Sequence, residues 1–90
     1  MTGPSQIVLI DNKRGLHARA SAKFVNLAAA LPAAIEVAKD GHSVSGTSIM
    51  GLMMLGAAMG DHVTIRAQGD GAQQSVSALV ELIEAKFGED

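Results

Sequence analysis

The chain contains no cysteine, tryptophan or tyrosine, and each absence removes a class of function. Without cysteine there are no disulfide staples, thiolate metal sites or cysteine nucleophiles, and a reducing, cytoplasmic setting is expected. Phe24 and Phe87 are the only aromatic rings among 90 residues, too few for the stacking platforms that hold single-stranded nucleic acid. The net charge is −2, from seven Lys and Arg against nine Asp and Glu, which argues against a general polyanion binder. No apolar run reaches the roughly 20 residues of a bilayer span. Met1 to Ser5 lacks the basic and apolar regions of a secretory signal. Neither a membrane protein nor an exported one is expected. At this length one domain spanning residues 1–90 is expected, with a modest core, because folding at this size buries only roughly 60–65% of the chain's surface.

What is present is organised by periodicity. Gln6 to Ile10 is a β-branched run closed by the turn formers Asp11 and Asn12, and predicts a strand with the character of an edge. From Ala18 the pattern changes to a helix, with Phe24, Leu27, Ala28 and Leu31 at i, i+3, i+4 and i+7, stopped by Pro32. Ile35 and Val37 alternate with polar or small residues, Asp40-Gly41 supplies a tight turn, and His42 to Ser45 resumes the alternation as a hairpin. Ser48 then caps an almost wholly apolar run from Ile49 to Leu55, which Gly56 ends. Val63, Ile65 and Ala67 mark a fourth strand, and Val76, Leu79, Val80, Ile83 and Phe87 form the stripe of a last helix running to Gly88. The order β-α-β-β-α-β-α predicts an α+β domain, a four-stranded sheet covered on one face by three helices. Its core should come from Val8, Ile10, Phe24, Leu27, Ile35, Val37, Val44, Leu52, Leu55, Val63, Ile65, Leu79 and Ile83.

Chemistry concentrates in two places. Residues 13 to 35 hold Lys13, Arg14, Arg19 and Lys23 with no acid, and within that stretch His17 stands where the first helix begins. Backbone N–H groups there lack intrahelical partners and the helix dipole presents partial positive charge, so such an end binds anions. A phosphoryl group carried on a ring nitrogen of His17 would meet those donors, with Arg19 and Arg14 nearby to neutralise it. The competing reading is a plain capping or surface histidine. The second place is the apolar run from Ile49. A helix apolar on all sides needs cover on all sides, which a chain this short lacks, so Ile49, Met50, Met53 and Met54 should supply exposed positions suited to a partner; otherwise the methionines fill core gaps. Ser48 is sufficiently explained as the N-cap, and a phosphate on it would stand beside the same patch. His42 and His62 have no carboxylate or third histidine at ligand spacing, so no metal site is expected.

Gly15-Leu16-His17-Ala18-Arg19-Ala20-Ser21-Ala22 and Ser48-Ile49-Met50-Gly51-Leu52-Met53-Met54-Leu55-Gly56, taken together at their spacing, resemble the histidine-containing phosphocarrier protein HPr family of the phosphoenolpyruvate-dependent phosphotransferase system. The resemblance covers nearly all of residues 5–88. It implies an open-faced β-α-β-β-α-β-α sandwich, phosphorylation of His17 on Nδ1 by phosphorylated enzyme I, Arg19 and the amide at Ala18 as holders of the phosphoryl group, and delivery to an EIIA-type acceptor. It further implies a surface of Arg14, Ile49, Met50 and Met53 shared by those partners, and Ser48 as the position of a regulatory serine that an HPr kinase/phosphorylase modifies in some lineages. Two positions depart from the pattern: Ala20 stands where many members carry Pro, and Thr47 precedes Ser48 where Lys, Arg or Asn is common.

The leading expectation is therefore a monomeric phosphoryl carrier, with no cofactor of its own, rather than a stand-alone enzyme. The alternative is a purely regulatory binding module of the nitrogen-related branch, acting through the Ile49/Met50/Met53 surface. Intact His17 and Arg19 favour the carrier, because a binding-only module needs neither.

Overall fold

The computed structural model describes residues 3–89. Strand β1 (Ser5–Leu9) is followed by helix α1 (Ala18–Ala30), the hairpin β2 (Ala34–Lys39) and β3 (His42–Ser45), helix α2 (Ile49–Met54), strand β4 (His62–Gln68) and helix α3 (Ala72–Glu84), after which a single 3-10 turn spans Lys86–Gly88. The strands form one antiparallel sheet in the order β1-β4-β2-β3, so β1 is an edge strand as its polar start suggested. The strict alternation of β4 buries Val63, Ile65 and Ala67 on the helical side, where they meet Val8 of β1 and Ile35 and Val37 of β2 in register. On the opposite, solvated face Glu36 and Arg66 are direct cross-strand partners, joined at 3.3 Å.

The hairpin turn is Asp40-Gly41, with φ of +50° and +82° between the paired Lys39 and His42. Positive φ at both central positions is the type I′ geometry, whose twist matches that of the flanking strands. Pro32 follows the end of α1 at Leu31, whose extended backbone already breaks the helix. Helix α3 packs across β1 and β4, α1 packs against α2 and α3, and α2 leans on β3. These contacts enclose a core led by Phe24, Phe87, Ile10, Leu52, Ile65, Leu79 and Ile83.

Three expectations need correction. Leu27, Val44 and Leu55 are only partly buried, packing on the rim of the core: Val44 lies on the edge strand β3, and Leu55 caps the end of α2. Much of the core is instead built from small residues, Ala20, Ala28, Ala33, Ala57 and Ala67, together with Leu16, Val76, Val80 and Phe87; alanine lets the helices approach the sheet closely. The last helix also stops earlier than its stripe. It ends at Glu84, and Lys86, Phe87 and Gly88 adopt φ of +57°, +56° and +74°. The chain turns back on itself there, so Phe87 reaches the core from a left-handed turn and not from the helix face. Two non-glycine residues in that conformation cost about 1–2 kcal/mol each, most of which burying the Phe87 ring offsets, at about 1.5–3 kcal/mol.

Candidate functional site

The loop from Ile10 to His17 leads from the edge strand into α1 and is pinned on both sides. Ile10 N–H donates to the Asp61 carbonyl at 2.8 Å, Gly60 N–H to the Ile10 carbonyl at 2.8 Å, and Leu16 N–H to the Ala57 carbonyl at 2.9 Å. Gly15 makes the last of these possible: its φ is +64°, and a Cβ there would overlap the Ala57 carbonyl oxygen. The segment that follows α2 is thereby fastened to the residues just before His17, which brings the two chemically interesting stretches to one end of the molecule.

His17 is the N-cap residue of α1, with extended backbone (φ −73°, ψ 179°). Its carbonyl accepts the first intrahelical bond, from Ser21 N–H at 2.8 Å. No side chain caps this helix and its first turn carries no acid, so the amino end of α1 keeps its orphan donors for a ligand. Ala18 and Arg19, on the first turn, are exposed. The Arg14 and Arg19 guanidinium groups make no hydrogen bond or ion pair among the described residues, and with Lys13 and Glu89 they line a shallow groove.

Glu89 is the residue the sequence did not announce. The histidine ring is not a free surface group: its side chain is 20% exposed, and Nε2 lies 3.0 and 3.1 Å from the two carboxylate oxygens of Glu89, itself 19% exposed. Asn12, wholly buried, directs its side-chain amide to the Gly15 carbonyl at 2.8 Å and to Glu89 Oε1 at 2.8 Å. Both of those neighbours are acceptors, which fixes the Asn12 amide orientation. Lys23, further along α1, clamps the tail by donating to the Phe87 carbonyl at 2.7 Å. The hydrogen bond with His17, and after it the one from Asn12, hold the Glu89 carboxyl below its ordinary value, against the opposing effect of partial burial. The cationic end of the chain is thus free of acid in sequence but not in space. Nothing in the local spacing could have revealed this, since Glu89 stands 72 residues from His17; the only sequence trace is Gly88, whose freedom at positive φ lets the tail turn.

At the second stretch, the Ser48 hydroxyl accepts from Gly51 N–H at 2.9 Å, the predicted N-cap bond. Of α2 only Leu52 is buried, while Ile49, Met50, Met53 and Met54 are exposed, Met50 at 68% and Met54 at 78%. Met59, five residues beyond the helix, is exposed as well, a position the sequence did not single out. His42 and His62 are exposed at strand ends.

The family model described as the PTS HPr component phosphorylation site matches residues 4–85. The chain is 45% identical over 80 residues to the phosphocarrier protein HPr of Cupriavidus necator, covering 89% of this chain and 90% of that one. It is 38% identical over 89 residues to the phosphocarrier protein NPr of Shewanella violacea, covering 99% and 98%. Among solved structures, HPr-C-His of Thermoanaerobacter tengcongensis superposes with a TM-score of 0.92 at 45% identity, covering 97% of this chain and 98% of that one. An HPr dimer from the same organism gives 0.76 at 48% identity, covering 91% and 94%.

Proposed function

The chain belongs to the HPr family of the phosphotransferase system, and from that premise we propose that it accepts a phosphoryl group on His17 Nδ1 from phosphorylated enzyme I and passes it to an EIIA-type protein. The observation that carries this reading is His17 at the uncapped amino end of α1, near the Arg14 and Arg19 guanidinium groups, which have no partner among the described residues. Amides of the first turn, at Ala18 and Arg19, would take the phosphoryl oxygens, and the Arg19 guanidinium would neutralise their charge. Each partner must reach the same ring, so one surface serves both: Arg14 at its cationic edge, with Ile49, Met50 and Met53 as its apolar centre. The carrier needs no cofactor of its own, and it acts as a cytoplasmic monomer. No helix among the described residues is long and apolar enough to cross a membrane.

Ser48 is the proposed regulatory position. A phosphate there sits at a helix N-terminus, which it stabilises, while adding about two negative charges beside an otherwise apolar contact. Transfer to His17 should fall. Thr47, exposed and bonded to Ser45, stands where a flanking Lys, Arg or Asn is common, so an HPr kinase/phosphorylase that recognises Ser48 must accept a threonine there.

A second reading is favoured by the relationship to an NPr protein across nearly the full length: service in the nitrogen-related regulatory branch. Incubation with phosphoenolpyruvate and either a sugar-type or a nitrogen-type enzyme I separates the branches by rate. In either case an acid-labile phosphate should appear, and His17→Ala should abolish it with the fold retained. Labelling that persists in His17→Ala would sink the assignment. A chain that takes no label from either donor would be a binding module only.

A further inference from the structure

We propose that Glu89, held in place by Asn12, is a positioning residue that sets the proton of the His17 ring on Nε2 and so reserves Nδ1 for the phosphoryl group. This rests on the carrier reading for its consequence, though not for its geometry.

An ionised carboxylate can only accept, so contacts of 3.0 and 3.1 Å from Nε2 to both Glu89 oxygens require the hydrogen on Nε2. In the neutral ring the lone pair then lies on Nδ1. The carboxylate is itself fixed. Asn12 Nδ2 donates to Oε1 at 2.8 Å, Asn12 is wholly buried and tied to Gly15, and the Lys23 bond to the Phe87 carbonyl holds the backbone two residues before Glu89. The left-handed turn at Lys86, Phe87 and Gly88 aims the tail at the ring and not into solvent. Its Phe87 anchor is fully buried, so the turn that carries Glu89 is tied to the core. The retained charge on Glu89, held by the bonds from His17 and Asn12, is what the role demands.

In the transfer step the Nδ1 lone pair forms the new N–P bond as the bond between phosphorus and the donor protein's phosphorylated atom breaks, with that electron pair remaining on the donor. No proton moves: the one on Nε2 stays. The ring therefore gains positive charge as the bond forms, and the Glu89 carboxylate lies against the side where that charge develops. When the group is passed on, the electron pair returns to Nδ1 and the ring becomes neutral again. A carboxylate that orients an imidazole and steadies its cationic form plays the corresponding part in hydrolytic triads.

The test uses the full chain and three forms: parent, Glu89→Ala and Glu89→Gln. Ring-nitrogen NMR of His17 in the neutral state reads the tautomer directly, without any phosphoryl donor. The parent should show the Nε2–H tautomer alone, Glu89→Ala a mixture with Nδ1–H, and Glu89→Gln, whose amide oxygen still accepts, a largely restored parent pattern. Acceptance from phosphorylated enzyme I should fall about 10- to 100-fold in Glu89→Ala, the range for losing the carboxylate partner that orients a metal-bound imidazole, with a smaller loss in Glu89→Gln, which keeps the acceptor but not the charge. An unchanged tautomer in Glu89→Ala overturns the proposal, and so does a mixed tautomer with an undiminished rate. If the parent takes no phosphate at all, the carrier reading fails, while the tautomer comparison still decides what Glu89 does to the ring.

Discussion

At the scale of single residues, the site depends on which donors are already committed. His17 Nε2 and the Asn12 amide are engaged with Glu89, whereas the Arg19 guanidinium is exposed and without a partner among the described residues. Removing Arg19 therefore costs the fold nothing and the transferring group one charged donor. Arg19→Ala should slow acceptance by roughly tenfold, corresponding to about 1.5 kcal/mol for a hydrogen bond to a charged group. It should not abolish transfer, because the amides of the first turn remain. Quench-flow labelling from phosphorylated enzyme I measures this, and equal rates for variant and parent would reduce Arg19 to an ordinary solvated side chain.

Among the elements, α2 is the least self-sufficient. Six residues cannot sustain a helix in water, and its stability comes from the Ser48 cap, the buried Leu52 and the contacts with α1 and β3. What it presents outward is an exposed methionine surface, and unbranched thioether side chains repack against partners of different shape. Met50→Glu places a charge on that surface at an exposed position near the helix start. Folding stability should stay within about 0.5 kcal/mol of the parent. Binding to both enzyme I and the EIIA-type acceptor should weaken by more than about 1 kcal/mol, as titration calorimetry would record. A collapse of stability with binding intact would make Met50 a structural residue and remove the shared surface.

For the molecule as a whole, the consequence of interest is the closing of the chain upon itself. The tail crosses α1 to bring Glu89 to a loop 77 residues earlier, and the contact responds to pH with a definite sign. Because the Glu89 carboxyl in the folded chain titrates below its ordinary value of 4.5, its contribution is fully present above that value and is lost as pH falls through the lower, folded one. Acid should therefore release the tail before the sheet unfolds. The Asn12 side-chain amide signals and the melting temperature, followed from pH 6 downward (roughly the plateau that linkage predicts), report the two events. In Glu89→Gln the early change in the Asn12 signals should vanish, and its persistence would assign the acid response to another group. Lys39 is affected in the opposite direction: its bond to Asp40, outweighing partial burial, raises it, so its contribution holds below the ordinary lysine value and fades only in strong base.

By itself the sequence determined everything that rests on local periodicity and on residues with restricted backbones. The alternation in β2 and β4, the Asp40-Gly41 turn, the stop at Pro32 and the Ser48 cap were legible because each follows from neighbours a few residues apart. So was His17 at a helix start in a cationic stretch, and so was the excess of apolar residues in α2 over what a small core can cover. Only the tertiary structure decided the early end of α3, the small-residue core and the partner of His17. A stripe through Phe87 looks the same whether the chain continues as a helix or turns back to bury that ring, and alanines carry too weak a hydrophobic signal to be ranked as core before the layers are packed. The Glu89 carboxylate reaches His17 because two segments far apart in the chain meet in the folded molecule, and spatial proximity across 72 residues has no periodicity to read.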